Sequence, residues 1–288
     1  MTVHTRFAGV SNVLVTDGES TILVDGFFSR PSFLRLAFGR ISPDHARIEA
    51  ALARLDTDRI DTVLVSHSHA DHALDSPVVA AMTGAELGGS PSTRMIAVGY
   101  DLGDLPFREL EDSTPFHVGA FTVTPIHALH SAGDSVPGTI DAPLRLPARM
   151  RDFKTGGCFS FHIAHPDGSV FVHPTANFLA GALEPYRADV VYLGAGSVGK
   201  KDASWTDRYW AETVGTLRPH TVRPVHWDAF WRPLDRPLRP LPKQLDALDV
   251  TMDAFARLNG RDRSARAGTP AIDLALPELW TPEKVRQR

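Results

Sequence analysis

The order of apolar and polar residues along the chain predicts short strands that alternate with helices. Short apolar runs between turn signals indicate strands, and apolar residues that recur every three or four positions indicate helices. The predicted strands lie at 13–15, 21–24, 62–65, 85–87, 121–126, 158–164, 170–173, 188–193 and 221–225. The predicted helices lie at 44–55, capped by Ser42, and at 91–98, 206–217 and about 245–258. This interleaving predicts a layered α/β fold.

The segmentation of the chain predicts one domain spanning residues 1–288, with a C-terminal extension from about residue 235. No internal repeat, low-complexity segment or clear linker divides the sequence. One long stretch without periodicity, 131–156, is punctuated by glycine and proline and is predicted to be a loop. Loops of this length are usually functional, which makes this one a candidate lid over a site.

Composition excludes several classes of protein. Hydrophobic residues make up 43% of the chain and charged residues 22%, as in ordinary globular proteins. The net charge of -4 provides no basic excess for binding nucleic acid, and no run of apolar residues is long enough to span a membrane. The single cysteine, Cys158, cannot form an intrachain disulfide, so we expect a core position for it and a reducing compartment, the cytoplasm.

A cluster of metal-ligand residue types follows directly after the predicted strand 62–65. Its sequence is His67-x-His69-x-Asp71-His72. Alternate side chains of an extended backbone point the same way, so His67 and His69 can bind one ion. A bend into a helix would turn Asp71 and His72 toward a second ion. Exposed turns also collect such residues by chance, but this density at the end of a buried strand favours a site for zinc or a neighbouring transition metal.

Two further histidines stand at the ends of other predicted strands. His130 follows the strand 121–126, and His226 follows the strand 221–225. Either histidine alone would more often be a hydrogen-bonded structural residue, but beside an incomplete cluster both become candidates for the missing ligands. His127 is an alternative to His130, because it lies only three residues earlier.

In these motifs the chain resembles the metallo-β-lactamase superfamily. The family signature H-x-H-x-D-H matches residues 67–72, and the aspartate that closes an early strand matches Asp25. The family's two later histidines match His130 and His226. The resemblance covers about residues 20–230. It implies an αβ/βα sandwich of two mixed β-sheets flanked by helices, with the site at one edge of the sheets.

One position departs from the family pattern. The family usually supplies an aspartate that bridges two ions, whereas the matching stretch here is Val172-His173-Pro174-Thr175. Proline cannot ligate a metal, so His173, Thr175 or a solvent hydroxide is left to bridge. Less negative charge would then offset the repulsion between the cations. We therefore expect the second metal site to be weaker than usual.

The resemblance implies one or two zinc ions as cofactor, with iron or manganese as alternatives. The implied ligands are His67, His69 and His130 at the first site, and Asp71, His72 and His226 at the second. Asp25 and Asp75 are candidates for accepting the spare N–H of a ligand histidine. Asp75 has an equally good alternative role, because a carboxylate also favours the first turn of a helix.

These implications predict a metal-dependent hydrolase in which a metal-bound hydroxide attacks a small-molecule ester, lactone, amide or phosphodiester. Asp71 is the candidate catalytic residue, because it could orient the hydroxide. One alternative is an iron-dependent redox enzyme on the same fold, disfavoured by Pro174 and by the lack of a second domain. Another is a metal-binding protein without turnover, disfavoured because the six other ligand positions hold ligating residues.

The sequence leaves the substrate-binding residues open. The long loop combines Phe153 with basic residues that could meet an anionic substrate, although charged loops are more often merely solvated. Those basic residues are Arg145, Arg149, Arg151 and Lys154. Aromatic residues at 227, 230 and 231 follow His226 and are either a pocket wall or part of the core.

Overall fold

The strands pair into two sheets in a computed structural model that describes residues 2–57, 59–265 and 271–287. Each sheet has seven strands, and both combine parallel with antiparallel pairs. The sheets pack face to face, with helices on the outer face of each. This arrangement confirms the predicted αβ/βα sandwich.

The first sheet is built mainly by the N-terminal part of the chain. Its strands are β1 (His4–Phe7), β2 (Val13–Thr16), β3 (Thr21–Val24), β4 (Thr62–Leu64), β5 (Glu86–Gly89), β6 (Phe107–Glu109) and β14 (Pro282–Lys284). The order across the sheet is β14-β1-β2-β3-β4-β5-β6. The strands from β3 to β6 run parallel, so their carboxyl ends lie along one edge.

The second sheet repeats this plan. Its strands are β7 (Phe116–Val118), β8 (Phe121–His127), β9 (Phe159–His165), β10 (Gly168–His173), β11 (Val190–Gly194), β12 (Thr221–Val225) and β13 (Asp273–Leu274). They follow the order β13-β12-β11-β10-β9-β8-β7. The strands from β10 to β13 are parallel and the others antiparallel.

Seven α-helices complete the described structure. They are α1 (Phe33–Phe38), α2 (His45–Leu55), α3 (Ala70–Ala73), α4 (Ser76–Thr83), α5 (Pro91–Gly99), α6 (Ala203–Trp210) and α7 (Leu248–Ala265). The prediction that Ser42 caps α2 is wrong, because the Asp44 carboxylate accepts the N–H of Arg47 at 3.2 Å. None of the described helices combines the length and apolar character needed to cross a bilayer.

Alternation of side chains along the central strands explains their unbroken apolar runs. In β3, Leu23 packs under the helices outside the first sheet, whereas Val24 packs between the two sheets. In β10, Val170 enters the layer between the sheets and Phe171 the layer under α6 and α7. Both faces of these strands are therefore buried, which is why they lack the polar alternation of a half-exposed strand.

The strands that the sequence did not predict are short. They are β1, β6, β7, β13 and β14, each of two to four residues, and they lie at or near the sheet edges. The last of them, β14, pairs with β1, and β13 pairs with β12. The segment after residue 235 thus adds an edge strand to each sheet, which the weak apolar pattern of the tail did not indicate.

Candidate metal centre

The motif 67–72 lies where the parallel strands of the first sheet end. β4 ends at Leu64, and α3 begins at Ala70, directly after His69. The bend between them is fixed by a hydrogen bond from the Ser68 N–H to the Thr155 carbonyl at 2.8 Å. As the sequence predicted, an extended segment followed by a short helix places successive ligand-type residues in different directions.

Three histidines form the first converging group: His67, His69 and His130. Their ring centroids lie 4.7–4.9 Å apart. One nitrogen from each ring lies within 4.8 Å of the others. The Nε2 atom of buried His67 has no hydrogen-bond partner among the described residues. A buried nitrogen without a partner is costly, and a metal ion at this point would satisfy it.

Asp71, His72 and His226 form the second group. The Asp71 Oδ2 and His226 Nε2 atoms are 3.2 Å apart, and the Nε2 atoms of His72 and His226 are also 3.2 Å apart. Ligand atoms around a tetrahedral zinc ion are about 3.3 Å apart, given zinc–nitrogen bonds near 2.0–2.1 Å. The donor set therefore fits a zinc-sized ion. The rings of His67 and His72 are 3.9 Å apart, so the two groups adjoin.

Hydrogen bonds to the protein define which ring nitrogens remain for an ion. The bonded atoms and their partners are His67 Nδ1 with Ser66 Oγ, His72 Nδ1 with Asp25 Oδ2, His130 Nδ1 with the Ser131 carbonyl, and His69 Nε2 with the Val136 carbonyl. Among these four residues, the atoms left for an ion are Nε2 of His67, His72 and His130 and Nδ1 of His69. Such partners fix the tautomer and the orientation of a ligand histidine.

Asp25 is placed as the sequence analysis expected, against a histidine of the cluster. Its Oδ2 lies 2.7 Å from His72 Nδ1 and 2.5 Å from the Ser11 hydroxyl. Its Oδ1 accepts the Ser66 N–H at 2.9 Å. The carboxylate is completely buried, so these bonds are its compensation for the loss of water.

Asp134 is a member of the site that sequence reasoning missed. Its Oδ1 lies 3.3 Å from His69 Nε2, and its Oδ2 lies 3.7 Å from His130 Nδ1. Thr155 and the Val136 N–H both donate to this carboxylate, and these bonds lower its pKa despite the opposing effect of partial burial. An acidic residue four positions after a candidate ligand was the available signal, but it lay within a segment interpreted only as a lid.

Two predicted contacts with the ligands are wrong. Asp75 does not meet a histidine; its carboxylate accepts the Phe28 N–H and both the N–H and hydroxyl of Ser29, at 2.6–2.7 Å. His173 does not point a free nitrogen at the cluster. Its Nδ1 bonds to Ser160 at 2.6 Å and its Nε2 to the Asn177 carbonyl at 2.7 Å.

His127 and Thr175 also have other positions than a metal ligand would need. His127 is exposed and outside both groups, so the structure brings His130 rather than His127 to the cluster. The Thr175 hydroxyl accepts the Ser131 N–H at 2.7 Å. Thr175 and Pro174 line the cavity beside the histidines, but no carboxylate takes the place of the expected bridge at position 174.

A cavity of about 230 Å³ opens beside the two groups. The long loop contributes Val136, Met150 and Phe153 to its walls, and the segment before α7 contributes Leu241 and Leu245. The basic residues of the loop do not line this cavity. The alternative of an aromatic wall at 227, 230 and 231 is also wrong, because these residues do not line the cavity and are instead buried or packed against the core.

His226 is held by a buried ion pair. The backbone N–H of His226 donates to the Val10 carbonyl at 2.7 Å, and the backbone N–H of Val10 donates to the Asp228 carboxylate at 2.8 Å. Asp228 pairs with Arg30 at 2.5 Å, and both side chains are fully buried. The backbones of His226, Val10 and Arg30 are all left-handed, a conformation that non-glycine residues adopt only when their surroundings impose it.

Burial lowers the pKa of three histidines of the cluster, His67, His69 and His130, whereas at His226 the bond to Asp71 outweighs burial and raises the pKa. Burial lowers the pKa of His67 well below the ordinary range, with added repulsion from neighbouring histidines, and it lowers the pKa of His130 to about 4. Burial alone would raise the pKa of Asp71, but His72 and His226 lower it by a larger amount, so the net shift is downward. Neutral imidazoles and an ionised carboxylate are the forms that bind metal.

Two histidine-rich groups at the common edge of an αβ/βα sandwich define the metallo-β-lactamase class of protein. The family model described as the beta-lactamase superfamily domain matches residues 20–227. The chain therefore belongs to this superfamily.

Curated relatives and solved structures agree with this assignment. The chain is 27% identical over 238 residues to a UPF0173 metal-dependent hydrolase of Nitratidesulfovibrio vulgaris, covering 80% of this chain and 82% of that one. A relative of the same description from Methylobacterium nodulans is 29% identical over 224 residues, covering 74% and 80%.

Among solved structures, a metallo hydrolase from Ignicoccus hospitalis superposes over the full length of both chains, with a TM-score of 0.60 and 16% identity. A diiron beta-hydroxylase from Streptomyces venezuelae gives a TM-score of 0.62 and 17% identity, covering 99% of this chain and 54% of that one. At such identities these two similarities establish the fold alone.

Proposed function

We propose that the chain is a metal-dependent hydrolase that acts on a small ester, lactone, amide or phosphodiester with the help of two zinc ions. The observation that carries the proposal is the convergence of six ligand atoms into two adjoining groups, each with its atoms within 4.8 Å of one another. The names of the curated relatives support the same reaction class. Membership of the superfamily and the names of these relatives support metal-dependent hydrolysis in general. The substrate class and the identity of the metal are the specific parts of the proposal.

Bound cations of this kind lower the pKa of a coordinated water toward neutrality and polarise a carbonyl or phosphoryl oxygen. The residues of the chain supply the rest. The Oδ2 atom of Asp71 lies 3.2 Å from His226 Nε2. As an ionised carboxylate, Asp71 can orient a water molecule and accept a proton from it. Asp25 and Asp134 hold the rings of His72 and His69 in place. The volume of the cavity suits a small substrate.

The second metal site is proposed to bind more weakly than the first. Pro174 removes the carboxylate that would otherwise lie between two cations, so their mutual repulsion is less compensated. Asp71 is then the one carboxylate among the six ligands. Titration with zinc should fill the sites in two separate steps.

The proposal is tested by metal analysis and turnover in parallel. Protein purified without chelator should contain zinc and hydrolyse at least one member of a panel of chromogenic esters, lactones, β-lactams and phosphodiesters. His69→Ala should lose more than about 100-fold in activity, because even a partner outside the coordination sphere costs roughly 10–100-fold. His127→Ala is the matched control and should keep both metal and turnover, since His127 lies outside the cluster.

Two outcomes would contradict the proposal. Wild-type metal content and activity in His69→Ala would remove the cluster from the reaction. Iron with a visible absorption band, together with oxygen-dependent turnover, would assign the site to redox chemistry instead.

A further inference from the structure

The wall of the cavity carries two oxygen atoms that lack hydrogen-bond partners among the described residues. Ser197 lies in the turn after β11, and Asp246 lies just before α7; both residues line the cavity. The Asp246 side chain is almost completely buried, at 2% exposure of the residue. Its Oδ2 and the Ser197 hydroxyl have no hydrogen-bond partner within the described ranges.

The rest of the Asp246 carboxylate is held firmly. Its Oδ1 accepts the Ala247 N–H at 2.8 Å, and the backbone N–H of Ser197 also lowers the pKa of the carboxyl. Burial raises the pKa of Asp246, an effect that these N–H groups and the charges of His226 and Lys200 oppose. Lys200 is not its ion-pair partner, because the Lys200 ammonium donates to the Lys243 carbonyl at 2.7 Å.

These two residues lie beside the second group of ligands. Gly196 precedes Ser197 and packs against His226 so closely that a Cβ at Gly196 would stand 2.8 Å from the His226 carbonyl oxygen. The backbone of Ser197 is left-handed, with φ of 69°. The close packing of Gly196 and the left-handed backbone of Ser197 thus place Ser197 in the cavity wall next to His226. Asp246 reaches the same wall from a segment beyond the residues matched by the family model.

A buried carboxylate oxygen without a donor is expensive, and native proteins rarely leave one unsatisfied. The ionised Asp246 Oδ2 atom can only accept, so the group that satisfies it must donate, and the Ser197 hydroxyl can accept from the same group. We propose that Asp246 and Ser197 form a substrate subsite that accepts an N–H group, from either an ammonium or an amide, close to the bond that is hydrolysed. This inference rests on the proposed function, since it names a feature of that enzyme's substrate.

The subsite is tested with substrates that differ only in the N–H group. One pair is the 4-nitrophenyl esters of N-acetylglycine and N-acetylsarcosine; the other is the esters of β-alanine and its N-trimethyl derivative. The zinc-loaded enzyme should prefer the N–H member of at least one pair by about 10–100-fold in kcat/KM, the range for a hydrogen bond to a charged group. The pair that shows the preference identifies the donor as amide or ammonium.

Asp246→Asn should abolish this preference. The amide oxygen keeps the bond to the Ala247 N–H, while the NH2 group replaces Oδ2 and presents a donor where an acceptor stood. Ser197→Ala, which retains the backbone bonds, should reduce the preference by a smaller factor. Asp235→Asn is the control, because Asp235 is exposed and does not line the cavity, and it should behave as wild type.

The outcomes separate this inference from the proposed function. Hydrolysis with equal kcat/KM within both pairs, or a preference that survives in Asp246→Asn, overturns the subsite but leaves the hydrolase intact. Loss of zinc from Asp246→Asn would also overturn it, by assigning the residue to the metal centre. If no ester is cleaved, the proposed function fails, and calorimetric titration of the zinc-loaded protein with the corresponding acids decides the subsite: equal affinities within both pairs overturn it.

Discussion

Four histidines of the cluster each bond to the protein through one ring nitrogen and leave the other for the site; they are His67, His69, His72 and His130. His72 gives Nδ1 to Asp25, whereas His69 gives Nε2 to the Val136 carbonyl, which is 3.2 Å away. The two residues therefore present opposite ring nitrogens to the site, although they lie only three positions apart. The groups that hold the rings are therefore as specific to each residue as the ligand atoms are.

Asp134 is predicted to support metal binding through His69. Asp134→Asn removes the negative charge beside His69 Nε2 while keeping the side-chain size, so the affinity of the first site for zinc should fall about 10–100-fold. Competition with a chromogenic chelator measures this affinity directly. Asp141→Asn changes an exposed aspartate of the same loop and should leave the affinity unaltered; equal affinities for both variants would contradict the assignment.

His173 is predicted to make folding sensitive to acid. Burial lowers its pKa from 6.5 to about 4, opposed only in part by the bond to the Asn177 carbonyl. Between these values the unfolded chain binds a proton that the folded chain does not, so its contribution is complete above pH 6.5 and is lost as the pH falls toward 4. The interval corresponds to roughly 3 kcal/mol.

Urea unfolding of chelator-treated wild type and His173→Gln checks this pH dependence. The difference in unfolding free energy, wild type minus variant, should shrink by up to about 3 kcal/mol between pH 7 and pH 4. Replacing the exposed His117 by Gln should give a curve parallel to wild type. A difference that stays constant over this range would show that His173 does not titrate as its burial requires.

At the scale of elements, the site depends on how strands end. β12 ends at Val225, and the next residue, His226, takes a left-handed backbone with φ of 59°. The same is true of Asp25 after β3, with φ of 54°. Turning the chain sharply at the strand end aims the next side chain across the edge of the sheet. Hydrogen bonds from neighbouring loops hold these strained residues in place.

The buried pair Arg30–Asp228 is predicted to be essential to that arrangement. Asp228→Ala leaves the Arg30 charge unpaired and the Val10 N–H without its acceptor, and should lower the free energy of unfolding by about 3–5 kcal/mol. Urea denaturation measures the loss. Combining Asp228→Leu with Arg30→Met removes both charges and should recover much of it.

A matched change at an exposed ion pair separates burial from pairing itself. Asp249→Ala breaks the exposed Lys243–Asp249 pair and should leave the free energy of unfolding nearly unchanged. Equal effects at the two pairs would mean that burial does not set the contribution of Asp228.

At the scale of the whole molecule, the candidate ligands come from both sheets. His67, His69, Asp71 and His72 follow a strand of the first sheet, whereas His130 and His226 follow strands of the second. Each proposed metal site therefore joins the two sheets at their common edge. An ion that binds only this arrangement must stabilise the packing of one sheet on the other.

Removal of metal is predicted to lower the stability of the entire fold. Above the dissociation constant, each tenfold rise in free zinc should add about 1.4 kcal/mol per occupied site to the free energy of unfolding. Thermal unfolding at several buffered zinc concentrations measures this slope. Magnesium should give no such gain, because it prefers oxygen ligands, and a melting temperature independent of zinc would contradict the proposed sites.

Much of the fold and of the candidate site could be predicted from the sequence. The interleaved apolar runs were sufficient for a layered α/β fold, and the family resemblance carried by the ligand-type residues at strand ends implied the sandwich and the complete cluster. The edge strands were missed because segments of two to four residues are too short to show a periodicity, and β14 depends on pairing with β1 at the other end of the chain. Asp134 lies in a loop without periodicity, and Asp246 lies in a predicted helix that no pattern in the sequence places beside the site.

The sequence by itself determined which residues can bind a metal and that they follow buried strands, because residue chemistry and local periodicity are properties of short segments. Only the tertiary structure decided which atoms meet: that His130 and not His127 joins the cluster, that His173 and Asp75 bond elsewhere, and that Asp134 approaches His69. These choices depend on distances between segments far apart in the chain. Such distances are set by the packing of the two sheets, and no local pattern encodes them.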